Sequence, residues 1–359
     1  MSLMDKLKKN SKTKNSNVLA ESQYFTSRDN VPTDLPALNI ALSGDLAGGV
    51  RPGLITLAGP SKHGKTTLAL IMAGAYMKQY KDAVMLFYDS EFGMPVNYFK
   101  EYGIDTDRVF HTPVKNVEDL KFDIMSQLEN IERGEKVIII IDSIGNLASK
   151  KEVEDAINEK SVADMSRAKS LKSLFRMVTP YLSQNDITMV AVNHTYDSMG
   201  LFPTKVVSGG TGIMYSSNDV FIMGRQQKKE GTDVVGWNFV INVEKSRTVK
   251  EKSKIILETT YDGGFQKYGG MLDMAIEHGI IQKPSQGWYV LVDTTTGEYI
   301  GQKMRLKDFT DEVWEKVVTN EDFRRFVRNR YMLTNSEDDT TGDNDVLESQ
   351  EDGRATEAE

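Results

Sequence analysis

The sequence predicts an α/β fold, a mostly parallel sheet between helices, followed by a small α+β unit. Three observations carry that prediction. Val137–Ile141 is an unbroken aliphatic run, the pattern of a strand buried on both faces in a sheet covered by helices. Leu54–Ala58 and Val84–Tyr88 are further apolar runs, and between them Leu68, Ile71, Met72 and Ala75 recur at helical spacing from Lys65 to about Gln79. Strand, helix, strand in that order gives a right-handed parallel crossover. Past Gly263-Gly264 and Gly269-Gly270 the texture changes to shorter, mixed segments.

Taken in order, residues 1–33 form an N-terminal arm and oligomerisation segment, ending near Val31-Pro32. Its first 17 residues hold five lysines against Asp5 and are expected to be flexible or ordered by a partner. The core spans residues 34–268. Its remaining strands are predicted at Ile187–Val192, Val220–Met223, Phe239–Val243 and Ile255–Thr259. Residues 269–334 give a short helix, a strand at Gly287–Val290 and a helix around Val313–Tyr331. Residues 335–359 carry ten acids, one base and almost no large apolar side chain, so an acidic disordered tail is expected there.

That tail changes the meaning of the charge. The chain of 359 residues has a net charge of −8, of which the tail supplies −9, leaving +1 on the rest. An acidic total therefore does not argue against nucleic-acid binding. The absence of cysteine excludes disulfides, thiolate metal sites and cysteine nucleophiles. The four histidines lack metal-ligand spacing. No apolar run approaches the ~20 residues of a membrane span, and the N-terminus has no apolar export segment. A soluble cytoplasmic protein without membrane association is expected.

The chemistry concentrates after the first strand. Gly59-Pro60-Ser61-Lys62-His63-Gly64-Lys65-Thr66 matches G-x-x-x-x-G-K-[ST], the P-loop, here placed after an apolar strand and opening a helix. Backbone N–H groups of such a loop wrap phosphates, and the helix aims its positive end at them. Lys65 would reach the terminal phosphates of ATP and the Thr66 hydroxyl would ligate Mg²⁺. Asp142 ends the aliphatic run, where a carboxylate holds the metal through water or simply caps a strand end. In Tyr88-Asp89-Ser90-Glu91, the two acids share a face at period two, and Glu91 is either a general base or a solvated carboxylate.

These residues resemble the RecA family. Gly59 to Thr67 resembles its P-loop, Asp89-Ser90-Glu91 its D-x-E strand end, and Ile141-Asp142-Ser143 its Walker B strand. Val192-Asn193-His194 and the stretch to Gly209-Gly210-Thr211-Gly212 resemble its DNA-binding loop region, and Val243-Glu244-Lys245-Ser246-Arg247 its basic inter-subunit motif. Longer runs, Leu86–Gly93 and Asn242–Lys254, are similar to the recombinases of T-even-like bacteriophages. The similarity covers about residues 18–334.

The resemblance implies a RecA-type P-loop NTPase core with a small C-terminal domain, acting as a DNA-dependent ATPase with Mg²⁺. It implies that the chain forms helical filaments on single-stranded DNA and pairs it with homologous double-stranded DNA for strand exchange. A recombination mediator and a single-stranded-DNA-binding protein are the further partners implied. By the same resemblance Glu91 is the catalytic glutamate, Thr67 joins the phosphate loop and Tyr98 stacks on adenine. Lys245 and Arg247 reach the γ-phosphate held by a neighbouring subunit. His194 stands where the family has a γ-phosphate-sensing glutamine, and a histidine donates the same hydrogen bond.

DNA is expected at two loops. One spans Ser149–Asp164 and begins Lys150-Lys151; the other spans Thr195–Gly212 and contains Tyr196, Phe202, Lys205, Gly209, Gly210 and Thr211. Between them, residues 163–182 form an amphipathic helix with Leu171, Leu174, Phe175 and Val178 as its apolar stripe. Lys169, Lys172 and Arg176 on its opposite face are either DNA contacts or a solvated basic face. Two rivals share the core: a hexameric helicase, and a mediator that binds ATP without hydrolysing it. The basic motif and the Trp288 region favour the recombinase over the first. The presence of Lys65, Thr66, Glu91 and Asp142 together disfavours the second.

Overall fold

The computed structural model describes residues 2–13, 16–22, 24, 30–159, 166–199 and 203–333. The acidic segment 335–359 and Phe202 lie outside the described residues. A parallel set of strands forms the middle of the main sheet: β1 (Gly53–Ala58), β2 (Val84–Asp89), β3 (Val109–Pro113), β4 (Val137–Asp142) and β5 (Thr188–Asn193). β6 (Thr195–Asp197) and β7 (Lys205–Val207) make a separate hairpin. β8 (Asp219–Glu230), β9 (Asp233–Lys245), β10 (Lys254–Thr260) and β11 (Gly264–Phe265) extend the sheet on one side. The order across it is β11-β10-β9-β8-β1-β5-β4-β2-β3, with β8 parallel to β1, β9 antiparallel to β8 and β10 antiparallel to β9.

The unbroken aliphatic runs do what two-sided burial requires. In β4, Ile138 and Ile140 join the hydrophobic cluster on one face of the sheet, while Val137, Ile139 and Ile141 join the cluster on the other. Each such side chain contributes ~1.5–3 kcal/mol relative to exposure. Helices α1 (Leu3–Asn10), α2 (Pro36–Ser43), α3 (Lys65–Gln79), α4 (Val96–Glu101), α5 (Val117–Asn130), α6 (Lys150–Ile157), α7 (Ser166–Gln184) and α8 (Thr211–Ser216) belong to the N-terminal region and core. α3 covers one face of the sheet; α5 and α7 cover the other through Leu120, Ile124, Leu171, Leu174, Phe175 and Val178.

Several expectations need correction. Residues 3–10, expected to be flexible or ordered by a partner, form an amphipathic helix, closed by a Ser2/Asp5 capping box, with Leu3, Met4 and Leu7 exposed. The predicted loop Ser149–Asp164 contains α6, because Ser149 and Glu152 form a second capping box. The predicted loop Thr195–Gly212 is largely the β6–β7 hairpin, and it ends in α8. β3 was not predicted, since its exposed polar positions hide the apolar signal.

The C-terminal region holds α9 (Met271–His278), a sheet of β12 (Ile281–Ser285), β13 (Trp288–Val292) and β14 (Tyr299–Met304), then α10 (Asp311–Val318) and α11 (Glu321–Tyr331). The single helix expected around Val313–Tyr331 breaks at Asn320, whose side chain accepts from Phe323 N and starts α11. This small unit packs against the core. Trp314, Val317, Phe323, Val327 and Tyr331 belong to the same hydrophobic cluster as α2 and α3, and Asp45 receives both Arg324 and Arg328. Among the described residues no helix is long and apolar enough to cross a membrane.

Candidate functional site

The C-terminal ends of β1, β5, β4 and β2 lie side by side, the edge where parallel α/β sheets bind ligands. That edge gathers the predicted residues: the loop Gly59–Thr67 after β1, His194 after β5, Asp142 ending β4 and Glu91 just past β2. Gly64 takes a left-handed conformation (φ 74°) as the N-cap of α3, and its missing Cβ leaves room beside the Phe239 ring. Lys62 is also left-handed (φ 61°), an uncommon state for a residue with a side chain. Its carbonyl accepts from Arg225, and His63 Nδ1 sits 2.8 Å from Ser61 O. These two loop carbonyls are therefore held by side chains, one from the loop and one from β8.

Lys65, Asp89 and Asp142 are buried charges of this edge. Lys65 Nζ donates to Pro60 O at 2.8 Å, and burial lowers its pKa against the pull of Glu91 and Asp142. Thr66 Oγ1 donates to Asp142 Oδ2 at 2.7 Å. Burial pushes the Asp142 carboxyl up to about 6. Asp142 Oδ1 is buried without a hydrogen-bond partner. A hydroxyl and an under-satisfied buried carboxylate beside a phosphate loop fit a hard divalent cation held partly through water. No group of three or more His, Asp or Glu side chains among the described residues makes a metal cage by itself.

Glu91 is placed differently from the period-two expectation. β2 ends at Asp89, so Asp89 and Glu91 do not share a strand face. Asp89 instead accepts from the N–H groups of Glu91 and Phe92 through Oδ1 and lies 3.4 Å from His111 through Oδ2. Glu91 then swings into the edge. Its Oε1 accepts from Ser143 Oγ at 2.7 Å and Asn146 Nδ2 at 3.1 Å, and lies 3.4 Å from His194 Nε2. Gly145 makes that last approach possible, since a Cβ there would stand 2.1 Å from His194 Cδ2. Ser143, Gly145 and Asn146 were not singled out from the sequence; only the adjacency of Ser143 to Asp142 hinted at any of them.

A cleft of ≈ 410 Å³ opens between Thr66, Thr67, Asp89, Glu91, Asp142 and Tyr98. Tyr98, 42% exposed on α4, offers its ring to that space and is not a core residue. Of the predicted DNA residues, Lys150 and Lys151 are exposed in the first turn of α6, and Tyr196 is exposed on β6. Lys205 reaches across the hairpin to Asp197 at 2.7 Å. Gly209 and Gly210 link β7 to α8, which Thr211 opens and where Gly212 packs against Lys172. Lys169, Lys172 and Arg176 are exposed along α7.

The basic pair lies elsewhere. Asp219 is buried at the start of β8, with Oδ1 accepting from Ser246 Oγ at 2.6 Å and Oδ2 lying 3.4 Å from Arg51. Burial pushes the Asp219 carboxyl up and the Arg51 guanidinium down. Arg51, Asn218, Asp219 and the exposed Arg247 line a second cleft of ≈ 370 Å³. Lys245 Nζ donates to the carbonyls of Met214, Tyr215 and Ser217 at 2.7–3.1 Å, at the C-terminal end of α8. To meet a phosphate it must release them. Asp219 pairs with Ile55, so the phosphate loop begins ~13 Å further along β1 at ~3.3 Å per residue. The two clefts share no residue.

Comparison with known proteins identifies the family. Residues 3–266 match the RecA N-terminal domain model, and residues 268–327 match that of the bacteriophage T4 recombination and repair protein C-terminal domain. The recombination and repair protein of Enterobacteria phage T4 (UvsX) is 50% identical over 336 residues, covering 92% of this chain and 86% of the T4 protein. Protein RecA of Paenarthrobacter aurescens is 31% identical over 283 residues, 76% of each chain. Protein RecA of Streptomyces rimosus is 29% identical over 277 residues, 76% of this chain and 69% of the relative. Core and C-terminal region thus point the same way, and the chain belongs to the RecA family of recombinases.

Proposed function

We propose that this recombinase is a DNA-dependent ATPase whose active site is completed only between copies of the chain, assembled as a helical filament on single-stranded DNA. Homologous double-stranded DNA is then the second substrate, for pairing and strand exchange. The observation that carries the reading is the separation just described. The phosphate loop and the Lys245/Arg247 pair belong to one chain yet stand at different levels of the sheet: Arg247 lines a cleft that shares no residue with the nucleotide cleft, and Lys245 is held at the end of α8. A cation pair that cannot serve its own nucleotide serves a neighbour's.

The residues then take the following roles. The backbone of Gly59–Thr67 and the Lys65 ammonium bind the phosphates of ATP, and Tyr98 stacks on the base. Thr66 and Asp142 would hold Mg²⁺, which when bound neutralises charge on the phosphate oxygens. Ser143 and Asn146 fix the Glu91 carboxylate through Oε1, leaving Oε2 to take a proton from the attacking water. The water oxygen bonds to the γ-phosphorus, the bond to the bridging oxygen breaks, and ADP and phosphate leave. Lys245 and Arg247 of the adjoining copy stabilise the charge that develops on the transferred group. His194, 3.4 Å from Glu91 and continuous with β6, reports that group to the DNA-facing hairpin. A single-stranded-DNA-binding protein and a mediator are the partners expected to control access to the strand.

Steady-state ATP hydrolysis, with and without single-stranded DNA at matched salt and several protein concentrations, tests the reading. Stimulation that grows with protein concentration supports it. A DNA-independent rate with closed rings in solution points to a helicase-like motor, and no hydrolysis under any condition points to a mediator.

A further inference from the structure

Arg167 lies in the first turn of α7 and has no role in the account so far. Its guanidinium joins three segments. Nε donates to Leu147 O at 2.6 Å, and one terminal nitrogen donates to Ile144 O at 2.9 Å and Gly145 O at 3.1 Å. The other terminal nitrogen reaches Ser208 Oγ at 3.5 Å. Ser208 in turn donates its N–H to His194 O, and its carbonyl accepts from Asn193 Nδ2. One planar fork thus holds the turn after β4, the end of the β6–β7 hairpin and the start of α7.

The turn it holds carries the groups that orient the base. Asn146 donates to Glu91, and Gly145 is the surface against which the His194 ring lies. The other segments are those expected to meet DNA: the hairpin, and α7 beside α6, whose cap Ser149 lies 2.5 Å from Ser166. Backbone carbonyls are strong acceptors with fixed directions, and a guanidinium has fixed donors, so moving one segment moves the others. Hydrolysis is sensitive to such motion, because ~1 Å of misplacement can cost ~10²-fold in rate.

We propose that Arg167 is the positioning residue that links occupancy of the DNA-facing segments to the orientation of the Glu91 carboxylate. This rests on the DNA-dependent ATPase reading above. Arg167 touches neither nucleotide nor strand in this role. It sets the turn that sets Asn146, and Asn146 sets the base.

The test uses the full chain with Arg167→Gln, Arg167→Lys and Asn146→Ala, and the Arg167→Gln/Asn146→Ala double variant. For each, kcat and KM for ATP are measured with and without single-stranded DNA, alongside strand affinity without nucleotide and the melting temperature. DNA-stimulated kcat should fall about tenfold or more in Arg167→Gln, with KM within about twofold. Arg167→Lys, which keeps the charge but not the fork, should recover little. The double variant should lose no more than the worse single variant, because both act on one chain of contacts. Unchanged stimulation in Arg167→Gln, or additive losses in the double variant, overturns the proposal. So does a loss of nucleotide binding and melting temperature together, with Arg167→Lys restoring both, since that is a structural staple. Wild-type protein without any stimulation would instead remove the parent reading and this one with it.

Discussion

The cleft beside the phosphate loop and the cleft beside Arg247 are opposites in charge. At the edge formed by β1, β5, β4 and β2, three carboxylates (Asp89, Glu91 and Asp142) surround one buried ammonium, Lys65. Near the start of β8, three cations (Arg51, Lys245 and Arg247) surround one buried carboxylate, Asp219. The first has the base and the phosphate loop, with Lys62 as its exposed cation and no arginine in its lining. The second has the cations and no phosphate loop. Each lacks what the other has, which is the arrangement expected of a site divided between copies.

The strongest way to break this comparison is to disable each cleft in a different chain. Arg247→Ala should lower kcat by ~10³-fold or more, as loss of a trans-acting arginine does. Lys65→Ala should be comparably inactive for want of bound phosphate. Mixed on single-stranded DNA, the two should regain part of the activity at interfaces that pair an intact loop with an intact cation pair. Co-assembly without any recovery would mean the clefts do not combine. Glu91→Gln comes next, with an expected kcat loss of ~10²–10⁴-fold and ATP affinity little changed. Brisk turnover by that variant, read in the same hydrolysis assay, would remove the base assignment.

A finer test concerns how the edge senses what it holds. In Gly145→Ala the new Cβ would stand 2.1 Å from His194 Cδ2, so the ring must leave Glu91. The tightening of strand binding by a non-hydrolysable ATP analogue should fall about fivefold or more. Fluorescence anisotropy on a labelled oligonucleotide, with and without the analogue, measures it; undiminished tightening would exclude His194 as the relay. The smallest effect belongs away from both clefts. Asp45→Ala removes the acceptor of Arg324 and Arg328 and should cost about 1 kcal/mol in urea unfolding, with hydrolysis unaltered. A change in ATPase rate there would show that the C-terminal region does more than dock.

The sequence revealed the first cleft more fully than the second. Gly59–Thr66 announces itself because phosphate binding is done by consecutive residues, and Val137–Ile141 because a strand covered twice has no polar positions. The helix from Lys65 to about Gln79 is legible for the same local reason. Asn146 on Glu91 and Arg51 on Asp219 are contacts across 55 and 168 positions, and nothing local marks them. Other misses were readable in principle. Ser149 and Glu152 spell a capping box within the predicted loop, and Asn320 before Glu321 and Asp322 spells a helix start within the predicted single helix. β3 hides because only its partners supply the apolar context, and His111 and Pro113 weaken its own signal.

The spacing along β1 has an arithmetic consequence. If every complete site needs the loop of one copy and the cations of the next, a row of n copies contains n − 1 working sites. One terminal copy holds a nucleotide that nothing completes, and the other presents cations that nothing uses. The two ends are therefore chemically unlike before any DNA sequence or partner distinguishes them. Turnover per subunit must climb with row length, and growth and loss at the two ends must proceed at different rates.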